Sequence, residues 1–275
     1  MISQRGDSME GFTLHDQHVH SKYSLDSKQE LTEYIEKAIE QGCKYFITTD
    51  HIDVGSPFSS DEWIIDFEAY NQEVKILQNK YPEIKILKGV EVGYFKDNYQ
   101  TITNYYKNQQ LDLINLSVHY SNEIDFYYIE YCKKIGTYKL VESYLDLVLE
   151  AVNNFDNFQV LSHFDYGFKT AYRYDSNASI EEFEKQLIEI FKVLIKRNKA
   201  LEINMKIQSF LPIEHTKYIL KLYKSVGGTK LTISSDAHSL EYYRINFDKY
   251  LALIKEVGFE YLCYYIKQQE YRYYL

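Results

Sequence analysis

The sequence predicts an α/β fold with parallel strands, wound either as an open doubly wound sheet or as a closed barrel. Two observations carry this. Seven short apolar runs alternate with amphipathic helical stretches between residues 12 and 238, and such alternation needs crossover connections between parallel strands. Histidines collect at the C-terminal ends of those runs, where α/β folds assemble their sites. No Gly-rich fingerprint follows the first run, which argues against dinucleotide binding. No Pro/Gly/Ser-rich linker divides the chain, so one domain is expected over 11–275. Residues 1–10, "MISQRGDSME", are polar and aperiodic and are expected to form a flexible N-terminal segment.

In chain order the strand candidates are "FTLHDQHVH" (12–20), "KYFITTDH" (44–51), "IKILKGVEVGY" (84–94), "LDLINLSVHY" (111–120), "NFQVLSHFDY" (157–166), "KALEINM" (199–205) and "KLTISSDAH" (230–238). Between the first two, "ELTEYIEKAIEQG" puts Leu31, Tyr34, Ile35, Ala38 and Ile39 on one helical face, with Gly42 placed to cap the C-terminus. Ser27-x-x-Glu30 and Ser179-x-x-Glu182 read as capping boxes. The stretch 180–198 reads as one long amphipathic helix ending in Lys and Arg, as the helix dipole favours.

Bulk properties narrow the function. A hydrophobic content of 45% supports a full core, and a charged content of 26% argues against wholesale disorder. The net charge of −9 comes without a basic stripe, so a duplex nucleic-acid partner is not expected. An anionic substrate would need local cations, metal ions included. Three widely spaced cysteines, Cys43, Cys132 and Cys263, make neither a disulfide framework nor a metal knuckle and fit a reducing, cytoplasmic setting. No apolar run is long enough to span a bilayer and no signal-peptide h-region is present, so no membrane association is expected. Oligomeric state is not legible.

His18, His20, His51, His119, His163 and His238 all end strand candidates. Asp26 follows the first run, Glu91 lies in "KGVEVGY", and Asp236 stands two before His238. In His18-x-His20 and Asp236-x-His238 the two side chains share a face, because strand residues alternate. Imidazole and carboxylate together suit Zn, Mn or Fe. Nine such groups exceed the needs of one ion and suffice for two or three, which would neutralise an anionic ester and lower the pKa of a bridging water. Blander roles fit other residues. His15 faces away from His18 and reads as core or barrel wall. His215, at a helix start, reads as solvated. Asp50 and Asp53 read as ligands or as partners that orient a ligand, with a solvated loop as a third option for Asp53.

Together these stretches resemble the four motifs of the polymerase and histidinol phosphatase (PHP) superfamily. "HVHSKYSLD" resembles the first, "TTDH" the second, "KGVEVGY" with "SVH" the third and "SSDAH" the fourth, with "LSHFDY" supplying a further histidine. The resemblance implies a distorted (βα)7 TIM-like barrel with a metal site at the C-terminal strand ends. It implies that His18, His20, Glu91 and Asp236 surround a first ion. Asp26, His51 and His238 would hold a second, and Glu91, His119 and His163 a third, with Glu91 bridging. Many members carry histidine where this chain has Asp26. "DQHVHSKYSLDS" and "TTDHID" look especially like the free-standing branch acting on L-histidinol phosphate in histidine biosynthesis. The implied activity is a metal-dependent phosphatase using attack by a metal-bridging hydroxide, with Asp26, His51 and Asp236 at the reacting atoms. The alternative is a PHP-type phosphoesterase for phosphotyrosine, nucleotides or nucleic-acid ends. Arg173, in what reads as a loop after the fifth run, is the candidate for binding the substrate's phosphate. An amidohydrolase is less favoured, since those barrels use a metal-bridging lysine and no strand-end lysine stands out.

Overall fold

The computed structural model describes residues 12–96 and 98–275. The expected N-terminal segment, 1–10, lies outside the described residues. Six parallel strands form one curled sheet in the order β1 (Tyr45–Ile52), β2 (Lys85–Gly93), β3 (Leu113–Ser117), β4 (Val160–Leu161), β5 (Ala200–Asn204) and β6 (Leu231–Ser234). Strand order equals chain order, the simplest outcome of repeated right-handed crossovers. The helices are α1 (Leu31–Glu40), α2 (Phe67–Lys80), α3 (Tyr99–Tyr106), α4 (Glu130–Ile135), α5 (Thr137–Asn154), α6 (Tyr166–Tyr174), α7 (Glu184–Lys196), α8 (Met205–Gln208), α9 (Ile213–Ser225) and α10 (Phe247–Val257). An antiparallel hairpin, β7 (Tyr261–Ile266) and β8 (Gln269–Tyr274), follows; it was not among the expected strands.

The first strand expected from sequence, 12–20, is not a regular strand. It makes isolated parallel bridges to both edges of the sheet, Thr13 with Cys43 before β1 and Val19 with Ala237 after β6. The Val19 carbonyl accepts from Thr49 N–H at 2.8 Å, and the Ala237 carbonyl accepts from His20 N–H at 2.8 Å. The ladder is broken because side chains take its donors: His18 N–H goes to Asp16 Oδ1 and Val19 N–H to Thr49 Oγ1, each at 3.2 Å. The six remaining strands fall within the expected runs to within a residue or two, but β4 keeps only two residues of its run. Beyond it the backbone turns at His163, whose φ is +24°.

Two capping expectations fare differently. Ser27 does not cap α1, whose N-cap is Glu30 without a side-chain bond. Its hydroxyl donates instead to the carbonyls of His20 and His238, linking the end of the 12–20 segment to the loop after β6. Ser179 does cap, accepting from Glu181 N–H, but it starts a 3-10 turn (Ile180–Phe183), with α7 following as a separate helix. Gly42 follows the end of α1 at φ +76°, as its role there requires.

Strands buried on both faces read as continuous apolar runs; β3 and β6 are buried throughout. Truncating Leu116, fully buried in β3, leaves a cavity such a sheet cannot close. Leu116→Ala is expected to lower unfolding free energy by about 2–5 kcal/mol. Ile76→Ala, on the exposed side of α2, is expected to change it by less than about 0.5 kcal/mol. Urea titration of both variants checks the contrast, and equal losses would contradict it.

Candidate metal centre

Glu91 organises the site. It is wholly buried near the C-terminal end of β2, beside His51 in the β1–β2 register. Oε2 lies 3.0 Å from His18 Nε2, 3.3 Å from His20 Nε2 and 3.1 Å from His51 Nδ1. Oε1 lies 2.7 Å from His163 Nε2 and 3.3 Å from His119 Nε2. Five imidazoles from four stretches of chain thus meet one carboxylate. Asp236 faces it, with Oδ1 3.2 Å from His20 Nε2 and 4.0 Å from His18 Nε2. Toward solvent, Asp26 Oδ2 sits 2.8 Å from His238 Nε2 and 3.6 Å from His51 Nε2. All nine residues expected from sequence are therefore brought together.

Four overlapping groups place one donor atom per residue within 4.8 Å of the others: His18 with His20 and Asp236; His18 with Glu91 and His163; His51 with Glu91 and His119; and His20 with Asp26, His51 and His238. A divalent ion fits this geometry on two grounds. Ligands about 2.1 Å from a tetrahedral ion lie about 3.4 Å from one another, close to the separations seen here. Moreover, His18 Nε2, His20 Nε2, His51 Nδ1 and Glu91 Oε2 are buried without a hydrogen-bond partner, a costly state for polar atoms that coordination would relieve.

The opposite ring nitrogens are tied down. His18 Nδ1 lies 2.8 Å from Glu202 Oε1, His20 Nδ1 3.2 Å from Ser24 Oγ, and His119 Nδ1 3.0 Å from Asp53 Oδ1. His238 Nδ1 lies 2.9 Å from the Asp236 carbonyl. Such partners fix ring orientation and tautomer. Asp50 acts one step back: it accepts from Ser21 N–H and from the hydroxyls of Ser21 and Ser24. Asp53 is buried between His51 and His119, so the solvated-loop reading of it fails. Glu202 was missed. It reads as an ordinary polar position of "LEIN" in β5, and only the strand alternation that points it inward could have flagged it.

Other expectations need correction. Arg173 is not in a loop: it is exposed in the last turn of α6, with its guanidinium 5.3 Å from the Phe210 ring. A strand-end lysine does exist. Lys206, two residues past β5, places Nζ 3.4 Å from Asp236 Oδ1 and 3.1 Å from His238 Nδ1. Its motif position, inside "EINMK", carries no charge pattern to mark it. His215 is not solvated; it is buried against Asp165 and Phe168. His15 is buried wall, packed on Tyr45 and Tyr264, and burial with Arg244 nearby lowers it to about 3.

The electrostatics are those of a dense buried cluster. Burial alone would raise Glu91, but His18 and His51 outweigh it and hold the carboxyl well below its ordinary range. Burial disfavours charge on His119, yet Asp53 and Glu91 bring it up to about 10. His18 and His51 are raised in the same way by the carboxylates around them. His238 is lowered to about 4 by burial and by His20.

A match to the PHP domain family model spans residues 16–206. The chain belongs to the PHP domain family. Among curated relatives, the probable histidinol-phosphatase of Clostridium acetobutylicum is 30% identical over 89% of this chain and 96% of its own length. The histidinol-phosphatase of Lactococcus lactis subsp. lactis is 28% identical over 89% of this chain and 91% of its own length. The crystal structure of histidinol phosphate phosphatase from Lactococcus lactis, complexed with zinc, L-histidinol and phosphate, superposes with a TM-score of 0.84. It is 27% identical to this chain and covers 93% of it and 97% of itself.

Raised imidazoles carry protons that a coordinating nitrogen cannot keep. Adding zinc to chelator-treated protein at pH 8 is therefore expected to release protons, and its apparent affinity is expected to rise with pH. Calorimetry in buffers of different ionisation enthalpy reads this directly; binding heats that do not depend on the buffer would contradict it.

Proposed function

We propose that this chain is a metal-dependent phosphomonoesterase that hydrolyses L-histidinol phosphate to L-histidinol and phosphate. The observation that carries the reading is the convergence of Glu91, Asp26, Asp236 and six histidines in one partly open cluster. It is supported by relatives of near-equal length that bear that activity in their names. We take 12–20 as the seventh stave of a (βα)7 barrel, with the cluster at its C-terminal mouth and a single domain spanning the described chain. Two or three divalent ions, Zn, Mn or Fe, fit the four donor groups. The described helices include none long and apolar enough to cross a membrane, and the three cysteines are free and buried, in keeping with a cytoplasmic enzyme.

When bound, the ions supply Lewis acidity toward phosphoryl oxygen and lower the pKa of water near neutrality. The chain's own residues do the rest. His18, His20, Glu91 and Asp236 would hold the inner ion; Asp26, His51 and His238 would hold the outer; and His119 and His163, with Glu91, would hold the third. In this reading Asp26, His51 and Asp236 act at the reacting atoms. Asp26 is a third exposed; burial would raise its carboxyl, but His238 and His51 beside it hold it well below the ordinary range. Lys206 donates to Asp236 and keeps that carboxylate ionised. Trp63 packs edge-on against His51 at 5.0 Å.

Two lysines suit the phosphate better than Arg173 alone. Lys206 stands at the cluster's edge, and Lys169, buried on α6, lies 3.7 Å over the Tyr166 ring, which itself packs on His119 and His163. Arg173 is the outermost cation of this group, close enough to act electrostatically on Lys169. Burial and the neighbouring Lys206 lower Lys169 to about 7.

Metal-loaded protein assayed on a panel of phosphomonoesters tests the substrate: histidinol phosphate should stand out in kcat/KM, and equal turnover of unrelated esters would overturn that assignment. His119→Ala and Asp236→Ala should each cut kcat/KM by on the order of 10² or more; unchanged activity in either would remove the site assignment. A lysine that loses its proton near pH 7 weakens anion capture above that pH, since kcat/KM reports groups of the free enzyme. Lys169→Arg, charged throughout, is expected to shift that alkaline decline upward; identical profiles would remove Lys169 from phosphate binding.

A further inference from the structure

Resting on the phosphoesterase reading above, we infer that a buried pair outside the set of metal ligands, Asp165 (two residues after His163) with His215, is a positioning device that sets Lys169 and Lys206 at one phosphate's reach. One carboxylate oxygen ties three helices together. Asp165 Oδ2 lies 2.9 Å from His215 Nε2, in the first turn of α9, and accepts from Gln208 Nε2, the last residue of α8, at 2.8 Å. The residue carrying it immediately precedes α6, and its carbonyl accepts from Lys169 N–H at 2.9 Å. Thr216 Oγ1 donates to Gln208 Oε1 at 2.6 Å, and the His215 ring stacks on Phe168 at 4.9 Å and 11°. The two lysines stand on the two short helices so joined: Lys169 on α6 and Lys206 on the single turn of α8.

Those lysines need such a brace. When both carry charge they repel one another, while Asp236, which accepts from Lys206 at 3.4 Å, and Asp165 attract Lys169. Among the described contacts, Lys169 Nζ is met by the faces of Tyr166 and Tyr127 and by no carboxylate. The pair is also poorly built for stability alone. His215 Nδ1 is buried without a partner, and replacing a buried polar pair by apolar groups of like volume is often neutral or stabilising. Its geometry makes sense as orientation: a directed bond on one oxygen fixes both helix ends, which apolar contact would leave free to slide.

The test uses full-length, metal-loaded protein, with inorganic phosphate and p-nitrophenyl phosphate as probes, so that it does not depend on histidinol recognition. His215→Ala is expected to weaken inhibition by phosphate and raise KM by about 10-fold or more, with kcat changed much less and bound metal per chain unchanged. His215→Gln, whose amide can donate to Asp165, should restore phosphate affinity to within about 2-fold. Introduced into Lys206→Met, His215→Ala should cost less than it does alone, because coupled residues are not additive. Full additivity, loss of metal, or unaltered phosphate affinity in His215→Ala would overturn the inference. If that variant does not fold, Thr216→Val, which removes one strut of the same network, reads the same quantities. Wild-type protein inert toward every phosphomonoester would instead overturn the function proposed above.

Discussion

The whole arrangement depends on one buried carboxylate. Glu91 has no exposure, and a carboxylate taken out of water without compensation costs several kcal/mol or more. The fold answers with imidazoles on every side: His18, His20 and His51 against one oxygen, His119 and His163 against the other. That arrangement is possible only where several strand ends converge, as they do on this curled sheet. It also leaves donor atoms facing one another without hydrogen bonds. A protein folded for stability alone would avoid that state, whereas a cation-binding one requires it.

Around this centre lies a layer of side chains whose work is orientation. Glu202, Ser24, Asp53 and the Asp236 carbonyl each take one nitrogen of a histidine and leave the other aimed inward. Asp50 holds Ser24. Glu202 does more: it accepts from His163 N–H, Ser234 Oγ and Asn204 Nδ2, and so supports the unusual backbone at His163, where φ is positive. A residue held in a rarely populated conformation needs its surroundings to over-determine it, and here they do. Tyr144 adds a further bond to the His163 carbonyl from α5.

The same logic extends outward to the mouth. Acidic and imidazole groups dominate the inner cluster, while the cations Lys169, Lys206 and Arg173 come from α6 and α8, on one side of it. The aromatic neighbours of those cations, Tyr166, Tyr127 and Phe210, let them sit in partly apolar surroundings through cation–ring contact.

The six parallel strands and all nine clustered residues were legible in the sequence, because both rest on local chemistry: apolar runs specify buried strands, and histidine or acid at a run's end specifies a side chain at the sheet's rim. The C-terminal hairpin was not, since "YLCYYIKQQEYRYY" has no helical crossover to announce another parallel strand. Nor could local pattern show that 12–20 would spend its backbone donors on Asp16 and Thr49, that Ser27 would tie two loops together instead of capping α1, or that Arg173 would be helical. Glu202, Lys206 and the Asp165–His215 pair look ordinary in sequence. Their importance comes from partners between 30 and 184 positions away. Identity and spacing along the chain thus determined which chemistry is present. Which nitrogen is tied, which is free and which cation faces the cluster were decided only by tertiary packing, because hydrogen-bond direction and burial are properties of neighbours in space.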